Sequence, residues 1–416
     1  MVLDKGKMYR FPWSMNDNPI GWLEVTDACN LGCKGCYRQK LEGHKSLETI
    51  KEEVLFLKKW RNCDHISIAG GEPALHPQII DIIRFIKENG MKPFLLSNGM
   101  ALSKGLLKEM KKEGLLKVGL HIDSFQGRPG WDGKNELDLC ALREQYADMV
   151  NSIGGLTCGF GITVYKENFS HIPALIRWTL KNLKRVRGLT FITYRAAIIG
   201  PGRDYLAGGK KVNLDAADLG YASKEDTPED IGITSTDVYR LIKNHFPQYE
   251  ASAYLGGTKR HDSFKWIAGY MLTSGGQPLG SLGQKSMELA QSCYHLLFGR
   301  YFVYTKRKSL GRGVLALSLF DPEVRKVAKQ LASSPLSFFK PFSGLSIGIV
   351  QAPDTLPDGD VDMCDSCPDM AVYKGRLVHS CRMDEYRKYG GLLTLMNAEK
   401  KQEETAADSE EANIQL

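Results

Sequence analysis

The sequence predicts an α/β protein: a partial (βα)6 barrel over residues 20–200, followed by a smaller α+β region. Two observations carry this reading. Six strand-like apolar runs alternate with five amphipathic stretches over about 180 residues, the pattern of right-handed βαβ units that build a parallel sheet. The chemically unusual residues also fall just after the apolar runs, where strands of such barrels exit and working groups gather.

The first apolar run, 21–25, leads into Cys29-Asn-Leu-Gly-Cys33-Lys-Gly-Cys36 and the aromatic Tyr37. Three thiolates on one short loop, spaced C-x3-C-x2-C, suit a four-iron cluster, which takes one cysteine per iron and here would keep one iron open to a substrate or cofactor. A structural zinc ion asks for four protein ligands, and the next candidates along the chain are His44 and Cys63. Spacing alone leaves both readings standing.

Ser46 then caps an amphipathic helix at 47–60, with Glu48 and Glu52 in its opening turns. A buried strand at 65–69 runs directly into Gly70-Gly71-Glu72-Pro73. A helix at 77–89 leads to a strand at 92–96 that ends in Ser97-Asn98-Gly99. A helix at 104–113 precedes a strand at 117–122 ending at Asp123-Ser124. Helices at 137–153 and 172–183 precede strands at 156–164 and 189–198, the last of which carries Arg195.

Composition sets outer bounds. A chain of 416 residues accommodates one large domain with an addition, or two domains. A hydrophobic fraction of 43% and a charged fraction of 25% belong to a globular protein. The net charge of +7 is modest; it fits anionic substrates, lipid headgroups or a merely solvated surface, and it does not point to nucleic acid. No run approaches eighteen apolar residues and the first fifteen residues lack a signal-peptide pattern, so a cytoplasmic location is expected. Ten cysteines are too few for a disulfide scaffold, and Cys63, Cys140 and Cys158 read as small buried hydrophobes.

The C-x3-C-x2-C loop after the first strand, with Tyr37 behind it, and the Gly-Gly-Glu-Pro after the second resemble the radical S-adenosylmethionine (radical SAM) superfamily. The resemblance covers residues 20 to about 200. In that family the open iron of a 4Fe-4S cluster binds the amino and carboxylate groups of SAM, and an electron from the reduced cluster cleaves SAM to methionine and a 5'-deoxyadenosyl radical. The resemblance implies Cys29, Cys33 and Cys36 as cluster ligands. Gly70, Gly71, Glu72 and Pro73 match the motif that meets the SAM amino group, with a helix N-terminal cap as the lesser alternative for Glu72. Ser97, Asn98, Asp123 and Ser124 fall where the ribose or methionine part is held, and Arg195 would pair with the SAM carboxylate. An electron donor such as flavodoxin or ferredoxin is implied as a partner. His121 and the loop Gln126-Gly-Arg-Pro-Gly-Trp131 depart from the family's usual pattern after the Asp, and read equally as substrate-side groups or as residues that shape a loop.

The second half is less legible. Residues 201–237, rich in Gly, Lys and Asp, read as a linker to a C-terminal domain at 238–396. The apolar stretches 266–276, 293–304 and 336–342 read as the core of that domain or, with Lys306, Arg307, Lys308 and Arg312 beside them, as a channel for an apolar substrate that brings peripheral membrane contact. Cys364, Cys367 and Cys381 follow in a C-x2-C-x13-C spacing that is not a zinc-finger spacing; zinc or a single iron with Cys293 or His379 as fourth ligand is the alternative. This segment is similar to the auxiliary-cluster segment of the radical SAM cyclases of molybdenum-cofactor synthesis, and more loosely to the SPASM/twitch-type cluster domains of peptide-modifying relatives. The likeness implies a second 4Fe-4S cluster on Cys364, Cys367 and Cys381, with Cys293 deciding whether an iron stays open. The chain lacks the cyclases' Gly-Gly tail and ends in an acidic stretch from Asn397 that is expected to be disordered.

These features lead to an expected SAM-cleaving enzyme that abstracts hydrogen from an unactivated carbon, for C–C bond formation or another modification. A long apolar substrate such as a lipid is the first expectation; a peptide and a small cyclic metabolite are the others. A cluster-bearing redox sensor is the reading from another class, and it has no use for a Gly-Gly-Glu-Pro motif.

Overall fold

A computed structural model of the chain describes residues 3–304, 311–334 and 339–396. Lys306, Arg307, Lys308, the stretch 336–338 and the acidic tail from Asn397 lie outside the described residues. Strand β1 (Tyr9–Arg10) precedes a strict alternation: β2 (Ile20–Glu24), α1 (Leu47–Arg61), β3 (His65–Ala69), α2 (Ile79–Glu88), β4 (Lys92–Ser97), α3 (Lys104–Lys112), β5 (Lys117–His121), α4 (Leu139–Ser152), β6 (Thr157–Val164), α5 (Ile172–Lys181) and β7 (Val186–Thr193). Strands β2 to β7 pair in chain order and all in parallel, which makes the expected partial (βα)6 barrel.

Local chemistry sets the element ends. The Ser46 hydroxyl accepts the Thr49 amide to start α1, and Asn62 closes it in the left-handed region at φ 50°. Ser103 caps α3 through the Leu106 amide. In β5 and β6 every second residue, Val118, Leu120, Cys158, Phe160, Ile162 and Val164, is buried in a core shared with Ile82, Ile86, Leu107 and Val150 of the helices. The residues between them face away from the helices and stay partly exposed.

The sheet does not stop where the sequence predicted a domain boundary. Strand Phe342–Gln351 adds in parallel to β7, with Gly348 opposite Thr190, and is followed outward by Phe264–Ser274, Ala253–Gly256 and β1. Residues 1–19, which the sequence predicts as an N-terminal extension to the barrel, and the C-terminal half thus extend one eleven-stranded sheet. Pairing covers the β7 edge, whose N–H and C=O groups would otherwise lie unpaired. Residues 201–237 are likewise not a bare linker. Tyr205–Ala207 pairs with Lys210–Val212 and with Leu393–Leu395, over a small core of Ala197, Leu214, Leu219, Tyr221 and Leu393. Strands of two or three residues leave no period to read.

The aromatic-heavy stretches divide. Ile267, Met271 and Leu272 are core residues, whereas Leu296 and Leu297, at 84% and 73% exposure, stand in solvent at the end of the helix Gln284–Phe298. No described helix is long and apolar enough to cross a membrane.

Candidate functional site

The cysteine loop begins where β2 ends, and the backbone of the Gly-Gly-Glu segment clamps its base. Val25 N–H donates to Ala69 O at 3.0 Å, Gly71 N–H to Thr26 O at 2.7 Å, and Glu72 N–H to Ala28 O at 2.8 Å, one residue before Cys29. This approach requires glycine. Gly70 has φ +129°, and a Cβ there would fall on the Thr26 carbonyl oxygen; a Cβ at Gly71 would strike the Ala28 carbonyl and lie 2.8 Å from Asp27 O. Gly71→Ala should displace Ala28 and the cysteine after it, and is expected to lower anaerobically reconstituted iron by about four atoms per chain, read by iron and sulfide analysis.

Glu72 is fully buried. Its carboxylate accepts the Ala74 amide at 3.0 Å, the Ser97 hydroxyl at 2.7 Å and the Asn98 amide at 2.6 Å, and burial pushes its pKa up. It caps the turn Pro73–Leu75 and ties the β3 exit to the β4 exit, so in this structure the cap role is the occupied one. Asn98 continues the chain of contacts: its side-chain amide donates to Asn30 Oδ1 at 2.7 Å and lies 3.8 Å from Cys29 Sγ.

The β5 exit forms a second border. Asp123, buried, accepts the Phe125 amide and faces His121 Nε2 at 2.9 Å; burial raises and His121 more than offsets, so its carboxyl sits below the usual range. His121 Nε2 also lies 3.0 Å from Thr163 Oγ1, and the ring sits on the sheet face away from the helices, opposite Gly161. Ser124 turns elsewhere, donating to Glu136 within a buried Glu136, Arg143 and Asn168 network. Of the flagged loop, Gln126 and Arg128 are buried, and Arg128 donates to Asn98 O, His121 O and Gln126 Oε1, joining two strand exits. Arg195 lies beyond β7 rather than on it. Its guanidinium pairs with Asp354 and donates to the Tyr194 and Ile233 carbonyls, which already satisfies the groups predicted to meet a SAM carboxylate.

Cys29, Cys33 and Cys36 are free thiols of intermediate exposure. Burial pushes Cys33 up to about 12, with Asp123, Cys36 and Cys29 adding and Lys40 opposing; burial also raises Cys36, and Cys29 adds to it. Three thiols close enough to oppose one another's ionisation are a donor set that a polynuclear cation relieves, so the residues fit a cluster. His44 and Cys63 do not complete the set: the His44 ring meets Thr26 Oγ1 at 2.8 Å, and Cys63 is packed in the core against Met91. Among the described residues no three His, Cys, Asp or Glu side chains gather to hold one metal ion. A four-iron cube takes one thiolate per iron, so its ligands surround a body rather than a point.

The other end of the loop is fastened by Arg38. Buried, it faces Glu24 at 3.4 Å, Asp384 at 2.6 Å and Asp27, while Gln39 N–H donates to Asp384 at 2.6 Å. This hub joins the β2 exit to the helix Met383–Tyr389, which begins two residues after Cys381.

The second cysteine set is more deeply placed. Cys364 and Cys367 are buried in contact with Met370, and Cys364 bridges to Gly257. The neighbouring Cys364 and burial push Cys367 up; burial and Cys367 push Cys381 up. These three also fit a cluster by their donor chemistry. Cys293 does not join them: it is exposed on the helix Gln284–Phe298. His379 is partly exposed and held by the Cys364 backbone, with its pKa brought down to about 4 chiefly by desolvation. Burial pushes Asp369, two residues after Cys367, up to about 7.

Sequence reasoning did not single out Thr26, Arg38, Arg61, Arg128 or Asp369. Arg128 lay inside a flagged loop, but nothing in its spacing told that it would fold under Asn98. Arg38 and Arg61 contact residues hundreds of positions away, and Thr26 meets Gly71 and His44 only once the loop has folded back on itself.

The first half of the chain is similar to known proteins. The family model described as the radical SAM superfamily matches residues 23–179. The chain is 29% identical over 176 residues to the "Tungsten-containing aldehyde ferredoxin oxidoreductase cofactor-modifying protein" of Pyrococcus furiosus, covering 38% of this chain and 47% of that one. It is 26% identical over 171 residues to the "Fe-coproporphyrin III synthase" of Methanosarcina barkeri, covering 39% and 41%. Each match thus spans less than half the length of the relative. Among solved structures, Streptococcus suis SuiB bound to S-adenosylmethionine is similar over 55% of this chain and 47% of that one, with a TM-score of 0.39 and 15% identity. Residues 23–179 thus carry a match to the radical SAM superfamily.

Proposed function

We propose that the chain is an enzyme that holds a 4Fe-4S cluster on Cys29, Cys33 and Cys36, cleaves SAM reductively, and takes hydrogen from a carbon of a bound substrate. The carrying observation is the cysteine loop whose base is clamped by the Gly70–Gly71 backbone, with its three thiols at the strand exits. Bound there, cluster and SAM would supply the 5'-deoxyadenosyl radical. The protein would position. Glu72, Ser97 and Asn98 fix the β3 and β4 exits, and the His121–Asp123 pair borders the same rim at β5. A second 4Fe-4S cluster on Cys364, Cys367 and Cys381 is part of the proposal. So are a flavodoxin or ferredoxin as electron source and, for Asn98 and Asp123, places beside SAM.

The sheet face away from the helices bears on the substrate. Gly159, Gly161, Thr190, Ser346 and Gly348 share it in register, partly or fully exposed, whereas Leu96 and Phe94 fill the space at Gly119. Small side chains there leave room, and hydroxyls and backbone favour a substrate with polar groups, a peptide or a heterocycle, over a bare hydrocarbon. A long apolar substrate, with peripheral membrane contact, is the second reading. It is favoured by the solvent-facing Leu296, Leu297 and Phe298. Mass spectrometry of molecules retained through anaerobic purification separates the two: a polar ligand supports the first and a lipid the second. Metal analysis tests the cluster count. About eight irons per chain are expected, whereas about four with one zinc would make the C-terminal site structural.

A further inference from the structure

Arg61, the last residue of α1, is fully buried, and its donors go to main-chain carbonyls. Nε donates to Ile20 O at 2.6 Å, Nη1 to Met15 O at 3.3 Å, and Nη2 to Pro368 O at 2.8 Å and to Cys367 O. No carboxylate lies within ion-pair distance of it among the described residues. Its surroundings are unusual for a buried cation, because four carbonyls satisfy the N–H groups but bring no net negative charge. Burial lowers its pKa, and the charges that act to restore it are those of Cys367, Cys63 and Asp369. Among the other buried arginines, Arg38 has Glu24 and Asp384, Arg143 has Glu136, and Arg382 has Glu385, whereas Arg128 shares with Arg61 a set of neutral oxygen partners but lies at the strand exits, away from Cys367.

We infer that Arg61 is the counter-cation of the C-terminal metal centre, its guanidinium wrapped around the Cys367 and Pro368 carbonyls and its charge matched by the thiolate-ligated cluster. This rests on the second-cluster reading above and adds a role to a residue of the barrel. A fixed positive charge beside a cluster favours the state with one more electron, so Arg61 raises the centre's reduction potential. If instead Arg61 only staples α1 and β2 to the cysteine segment, hydrogen bonding matters and charge does not.

The test uses the full chain carrying Cys29→Ala, Cys33→Ala and Cys36→Ala, so that iron and the visible spectrum report the second centre alone. Iron in this variant supports the second-cluster reading; zinc without iron overturns that reading and the redox role with it. With iron present, Arg61→Gln keeps a donor for the carbonyls but no charge. At a fixed poise it is expected to shift the oxidised-to-reduced ratio about tenfold toward oxidised, 59 mV for one electron. Arg61→Lys keeps the charge and loses the fork, and should stay within about threefold of the parent. An unchanged ratio in Arg61→Gln, with iron and far-UV circular dichroism intact, overturns the inference. Should Arg61→Gln fail to fold, Arg61→Lys decides: a ratio near the parent's supports the charge, and a tenfold shift assigns the effect to the lost hydrogen bonds.

Discussion

Cys33→Ala is expected to lose the N-terminal cluster outright, taking reconstituted iron from about eight to about four atoms per chain. Cys33 sits between Cys29 and Cys36 on a loop held at both ends, at one by the Gly71 and Glu72 amides and at the other by Arg38. The two remaining thiols could not hold a cube whose fourth iron is already without a protein ligand. Alanine removes one atom, so the clamps and the core are untouched and circular dichroism should match the parent. The iron expected to remain is that of the proposed second cluster on Cys364, Cys367 and Cys381. A variant that keeps its full iron content would show that the loop holds no cluster.

Arg38→Leu is expected to cost about 3–5 kcal/mol, read as a fall in the denaturation midpoint, because it leaves buried carboxylates without their cation. Glu24 and Arg38 are each about 1% exposed, and Glu24 Oε2 has no hydrogen-bond partner; Asp27 retains Arg387, which softens the loss there. Arg38 also links the β2 exit to Asp384, three residues after Cys381, so both cysteine sets should be disturbed. Iron should therefore fall at both centres, unlike in Cys33→Ala. A variant as stable as the parent, with full iron, would mean that the hub is not what fastens the loop.

The barrel was legible because each of its units carries a period of its own. Val118-Gly-Leu-His and Cys158-Gly-Phe-Gly-Ile alternate as strands do, and Ser46 announces the helix it caps. The cysteine loop and Gly70-Gly71 were legible for the same local reason. What was not legible depends on long-range pairing. Phe342–Gln351 alternates well enough to be a strand, yet nothing in it tells that it joins β7. Tyr205–Ala207 is too short to announce itself, and its partner Leu393–Leu395 is almost two hundred residues away. Arg195 was placed one element too early because the apolar run past Thr193 hid the strand's end, and its partner Asp354 lies 159 residues on. Arg61 reads as an ordinary basic residue in a helix's last turn until the carbonyl of Cys367 is seen against it. Cys293 had only its residue type to recommend it, and its helix leaves it in solvent.

The central claim is that the loop at Cys29, Cys33 and Cys36 serves SAM cleavage. The most direct measurement is 5'-deoxyadenosine formed by anaerobically reconstituted protein given SAM and dithionite. Formation that depends on the reductant and vanishes in Cys33→Ala is the predicted result. No 5'-deoxyadenosine from fully loaded protein, or a yield that persists in Cys33→Ala, would contradict it.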